Sequence, residues 1–157
     1  MFDTKVFVED MMAKMREIIE SGQDAIPMAF KVGTDGVVLP IGIAGMKGEP
    51  EKNSVSRMLR ELAAQPDTAC VVFLCDSYIK MVEHGEHVVA RLKDVPGRRE
   101  CVSATVSGRD VAPAWATWIY DRDAAGKPVF ETAIKWADRA EGRFAATVGE
   151  SKDFHKN

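Results

Sequence analysis

Histidine is scarce in this chain: 157 residues hold three, His84, His87 and His155. A Ser/His/Asp or Cys/His mechanism therefore has few candidate bases. Cysteine is as scarce. Cys70, Cys75 and Cys101 are odd in number and widely spaced, which excludes a disulfide framework. Free thiols within an apolar stretch behave as small hydrophobes and fit a reducing, cytoplasmic setting. Long apolar runs are missing. The longest, residues 69–75, has seven members, against the ~20 of a membrane span. The opening MFDTKVFVEDMM has neither the basic start nor the apolar core of a signal peptide. Charge of one sign is missing too: 21 basic side chains face 24 acidic ones, split 9 to 12 over residues 1–80 and evenly after that. No basic field exists for nucleic acid and no charged block for a membrane surface. The G-x-S-x-G, H-E-x-x-H, P-C-x-x-C, G-x-G-x-x-G and G-x-x-x-x-G-K-[ST] motifs are all absent. The expectation is a protein with no cofactor, no nucleic-acid partner and no membrane partner.

What is present is ordinary globular material. Apolar types make up 46% and charged types 29%, the usual balance of a folded domain. A chain of this length makes about one domain and buries roughly 68–70% of its unfolded surface. The expected unit is a single α+β domain over residues 1–145, with a polar, flexible tail over 146–157.

Periodicity supplies the elements. Phe7, Met11, Met15 and Ile18, flanked by Val8, Met12 and Ile19, form a helical stripe over 4–20. Asp3 or Thr4 caps it and Gly22 stops it. Residues 26–43 alternate as a β-hairpin about Asp35-Gly36, a pair suited to a two-residue primed turn. That turn sets Val32 opposite Leu39, Phe30 opposite Ile41 and Met28 opposite Ile43, all large residues on one face. Pro27 and Pro40 put this hairpin at a sheet edge. A second helix covers 51–64, with Pro50 at its start and Pro66 beyond its end. Residues 69–80 are apolar at both parities, the mark of a central strand covered on both faces. A polar break follows at 83–98. Strands over 100–107, 113–121 and 128–136 complete the order α-β-β-α-β-β-β-β. A mostly antiparallel sheet of about six strands with both helices on one face is the simplest assembly.

Several clusters carry possible chemistry. Glu83-His84-Gly85-Glu86-His87 holds two metal-capable histidines three apart, but Gly85 weakens any helix joining them. Zinc also needs further ligands, for which Cys101, Asp94 and Glu100 are candidates. Gly42, Gly45 and Gly48, with Lys47, lie between strand and helix without a phosphate-binding motif and read as a flexible connector. Asp121-x-Asp123-x-x-Gly126 starts like a calcium loop but lacks its later ligands, and reads as a hairpin turn. Cys75-Asp76-Ser77-Tyr78 gathers a thiol, a carboxylate and two hydroxyls, although strand alternation makes neighbours diverge. In Asp94-Val95-Pro96-Gly97-Arg98-Arg99-Glu100 a turn delivers Arg99 and Glu100 to opposite faces of a strand. Arg99 there either grips an anionic ligand with its fork or makes an ordinary surface ion pair, worth ~0–1 kcal/mol.

Across residues 69–136 the chain resembles a family of small uncharacterised bacterial proteins. The resemblance rests on Asp76-Ser77-Tyr78 at a strand end, Pro96-x-x-Arg99-Glu100, Trp118 and the Asp121-to-Gly126 turn. It implies no activity. The element order is also similar to roadblock and profilin-like domains, with Asp35-Gly36 in a comparable hairpin, while the 83–98 loop and the last strand depart from that pattern.

Two functional readings follow. The first is a non-enzymatic interaction module that forms a homodimer through an aromatic sheet face, because two helices shield only one side of a sheet; strand 113–121 places Trp118 and Tyr120 on one face and Trp115 and Ile119 on the other. The second is a small-ligand binder or hydrolase built on the 83–100 loop. It would use Arg99, Glu100 and Asp76 for the ligand and His84 and His87 for a metal.

Overall fold

The computed structural model describes residues 2–43, 46–80, 94–109 and 111–137. His84, His87 and the 146–157 tail lie outside these residues. The elements are α1 (Thr4–Glu20), β1 (Met28–Gly33), β2 (Val38–Ile41), α2 (Glu49–Ala64), β3 (Thr68–Ile79), β4 (Arg99–Ser107), β5 (Ala114–Arg122), β6 (Pro128–Phe130) and β7 (Lys135–Ala137). Seven strands form one sheet in the order β2-β1-β3-β4-β5-β6, with β7 also paired to β5. Every pairing is antiparallel. The α+β class and the element order are those read from periodicity. Among the described residues, no helix is long and apolar enough to cross a membrane.

Local chemistry explains the helix ends. The Asp3 carboxylate accepts from the Val6 N–H at 3.1 Å, satisfying one orphan donor of α1. Gly22, at φ +82°, takes the left-handed conformation that ends the helix. In α2, Gly48 occupies the cap position without a side-chain bond, and Pro50 stands in the first turn, where no N–H is needed.

The two helices cover opposite faces, a departure from the one-sided layering expected. Val8, Met12 and Met15 of α1 pack on Val72, Leu74 and Val102. Val55, Leu59 and Ala63 of α2 pack on Ala29, Val71 and Phe73. The physical reason is β3 itself. Its even and odd residues are both apolar through residue 75, so each face needs its own helix.

The hairpin register is also one residue from the expected one: Val32 faces Val38, Phe30 faces Pro40 and Ala29 faces Ile41. A primed two-residue turn requires positive φ at both central residues. Only Gly36 has it here, at +82°. The loop therefore spans Thr34, Asp35 and Gly36. It is closed by Gly33 N–H to Val37 O at 2.8 Å, and Val37 N–H donates to the Asp35 carboxylate at 3.0 Å. The extra loop residue turns Leu39 and Ile41 toward the α2 face.

The expected strand over 128–136 is interrupted. β6 pairs with β5 at Tyr120↔Phe130, and β7 resumes at Ala116↔Trp136, a slip of two residues. The Trp118 indole N–H donates to Glu131 O at 2.7 Å where the ladder breaks. Phe130 and Trp136 both pack against the core beneath α1.

Candidate functional site

Beyond Cys75, β3 continues for four more residues, 76–79, beside the start of β4. Alternation splits the Cys75-Asp76-Ser77-Tyr78 cluster between the two faces. The neighbouring strand then adds like to like on each side.

On the α2 side, Cys75 lies opposite Ser103 and Ser77 opposite Cys101. The sequence carries C-x-S twice, at 75–77 and 101–103, and antiparallel pairing sets each cysteine against the other's serine. The four side chains form a chain of contacts. Cys75 Sγ is 3.5 Å from Ser103 Oγ, Ser103 Oγ is 3.1 Å from Ser77 Oγ, and Ser77 Oγ is 3.4 Å from Cys101 Sγ. Cys101 joins Ile79 and Ile119 in a small buried cluster, with Trp115 packed against it. Burial pushes the Cys75 thiol up. Burial pushes the Cys101 thiol up to about 12, with Cys75 and Asp76 adding to the shift and the Ser77 hydrogen bond opposing it. Both are protonated thiols near neutrality.

On the α1 side, Asp76 accepts from the Tyr120 hydroxyl at 2.7 Å. The Arg122 fork holds Glu100 at 2.8 and 3.1 Å. Arg98 stacks on Tyr78 and Arg122 on Tyr120. Partial loss of water around the Asp76 carboxyl, with the charge of Glu100 behind it, holds it above the usual carboxylate range. The Tyr120 hydrogen bond and Arg122 oppose that shift. Burial, reinforced by the hydrogen bond to Asp76, drives the Tyr120 phenol well up.

The ligand residues expected from sequence thus separate. Asp76 and Glu100 share a face, while Arg99 lies on the other. There its fork is occupied by Asp121, at 3.2 and 2.6 Å, and by Glu131, at 3.1 Å. Arg99 makes the surface ion pair rather than a vacant anion grip. Cys101 and Glu100, both weighed as partners for the histidines, point to opposite faces and cannot serve one ion. Asp123 caps a hairpin turn, accepting from the Ala125 and Lys127 N–H groups at 2.9 Å each.

The aromatic residues divide in the same way. Tyr120 is fully buried and stacks on Phe130 at 4.6 Å. Arg16 of α1 lies over the Trp118 and Phe130 rings at 4.8 and 4.9 Å. Trp136 donates to Glu9 of α1 at 2.9 Å. Trp118 and Tyr120 are therefore covered by the chain's own helix. Trp115 lies on the opposite face.

Sequence reasoning missed the thiol–hydroxyl chain and the Arg122–Glu100 pair. The doubled C-x-S pattern was a usable signal for the first, once β3 and β4 are antiparallel neighbours. Comparison with known proteins returns no family model, no curated protein and no solved structure that matches this chain.

Proposed function

We propose that this chain is a non-enzymatic interaction module that works as a homodimer in a reducing, cytoplasmic setting. The contact is the β2–α2 edge rather than the aromatic face of β5. One observation carries this reading. Leu39 of the edge strand and Val37 just before it are each 52% exposed, Leu39 on the α2 side. On the same side of the sheet Ile41, Ile43, Met46, Met58 and Leu62, packed against the α2 cluster, are only half-buried. Exposed large apolar side chains on one face mark interaction sites, and methionines repack readily against a partner. A second copy fits because the exposed residues around the patch, Glu51, Arg57 and Glu61, carry both signs. A surface meeting itself across a two-fold needs that mixture.

Side chains rather than backbone make this contact. Val37 is hydrogen-bonded to Gly33. Alternation therefore turns the backbone of Val38 and Pro40 outward, and Pro40 has no N–H to offer an added strand. The free thiols Cys70, Cys75 and Cys101 support the reducing setting.

Light scattering with sedimentation at tens of micromolar tests the proposal. The expected result is a dimer that Leu39→Glu converts to a folded monomer. A monomeric wild-type chain overturns the reading. A dimer that survives Leu39→Glu but is lost in Trp115→Ala overturns the placement and returns the contact to β5.

A further inference from the structure

We propose, building on the homodimer reading, that Asp67 and Gln65 neutralise Lys31 within the self-association surface, so that the partner this surface accepts is apolar there and supplies no carboxylate. Lys31 lies on the α2 face of β1, two residues beyond Ala29, and pairs with Leu39 across the β1–β2 ladder. A cation therefore stands beside an exposed apolar residue of the contact. Its side chain is only 13% exposed in the single chain. A second copy seated on Leu39 removes much of the water that remains, and an ammonium desolvated without a partner is costly.

The chain itself supplies the partners. Lys31 Nζ donates to Gln65 Oε1 at 2.9 Å and reaches both Asp67 carboxylate oxygens at 3.0 Å. An ammonium has three donors and no acceptor, and three acceptor atoms face this one. They are positioned before association. The Thr34 N–H donates to Asp67 O at 2.9 Å and the Thr68 N–H to Gln65 O at 3.1 Å, which fixes the link from α2 to β3. The hydrogen bond from Lys31 holds the Asp67 carboxyl below the ordinary carboxylate range.

Partner chemistry follows. Lys31 brings no unmet charge to the contact. An acidic partner would gain no free ammonium from it and would meet Asp67, whose side chain is 72% exposed, as a like charge. An apolar partner loses nothing by comparison, because the pair neutralises itself.

The test measures dimer dissociation by sedimentation for the full chain and three variants, with circular dichroism and urea unfolding to establish that each is folded. Asp67→Asn should weaken the dimer about tenfold, because it leaves the ammonium uncompensated at the contact. Lys31→Met keeps an apolar stem without the charge and should associate at least as tightly as wild type. The double variant, Lys31→Met with Asp67→Asn, should regain wild-type affinity, a rescue that a merely structural pair would not give. Added sodium chloride should leave the wild-type dimer unchanged or tighter. An Asp67→Asn dimer as tight as wild type overturns the proposal, as does a Lys31→Met dimer as weak as Asp67→Asn. A wild-type dimer that dissociates in salt shows that the partner does supply a charge, and overturns it too. A wild-type chain that is monomeric throughout overturns the homodimer reading itself, and this proposal with it.

Discussion

On one side of the β3–β4 ladder stand Asp76, Glu100 and Arg122, with tyrosines and guanidinium groups around them. On the other, one pleat away, the same stretch of backbone presents thiols and hydroxyls that touch one another. The contrast follows from environment. Cys101 is 1% exposed and Ile119 is 3% exposed, so the second side is a place where charge is costly. Asp76 keeps access to water, and Glu100 is neutralised by a fork. A strand read residue by residue mixes the two chemistries. Read by parity, together with its neighbour, it separates them.

Substitutions can break that separation. The largest effect is expected at Tyr120, which ties the charged side to the core. Tyr120→Ala removes a fully buried ring stacked on Phe130 and should cost about 3–5 kcal/mol in urea unfolding. Tyr120→Phe, which deletes only the hydroxyl bonded to Asp76, should cost about 1 kcal/mol. Equal losses for the two variants would show that the hydrogen bond, not the ring, anchors this side. A smaller effect is expected from moving charge across the sheet. Ser77→Asp places a carboxylate among the thiols and should cost about 2–3 kcal/mol at neutral pH, much of it recovered in acid, where the group is neutral. A pH-independent loss would point to sterics alone.

The subtlest test is the pH dependence of Asp76. Its carboxyl in the folded chain lies above the ordinary carboxylate value of 3.8. Well below 3.8 the group is protonated whether folded or not and makes no pH-dependent contribution. As pH rises through the window above that value, the unfolded chain gives up its proton first, so stability declines until the folded carboxyl has also ionised. Asp76→Asn should remove this decline. The melting temperature of the variant relative to wild type should rise as pH climbs above 3.8 and level off once the folded carboxyl has ionised. A constant or falling difference would place the carboxyl at or below its ordinary range.

Much of the fold was legible because its signals were local. The stripe of Met11 and Met15, the cap at Asp3 and the two-parity run in β3 each depend on residues close in sequence. The hairpin register depended on one dihedral. Asp35 lacks the positive φ that a primed turn would need, and that single angle decided which way Leu39 points. The layering was within reach, since an apolar run at both parities already demanded cover on each face. The site was less legible. Whether Arg99 holds a ligand or an ion pair depends on Asp121 and Glu131, 22 and 32 residues away. Their approach is set by strand order, which periodicity does not contain. The covering of Trp118 and Tyr120 likewise depended on Arg16 and Glu9 reaching them from α1.

The joint between β6 and β7 bears on how this chain can vary in length. Register there shifts by two residues between the Phe130 and Trp136 pairings, and an even shift leaves both rings under the same helix. Insertions or deletions at residues 132–133 should therefore be accommodated in pairs. A single-residue change would rotate Trp136 to the outside and strand Glu9 without its indole. Homologous or engineered chains should show lengths at this joint that differ by multiples of two.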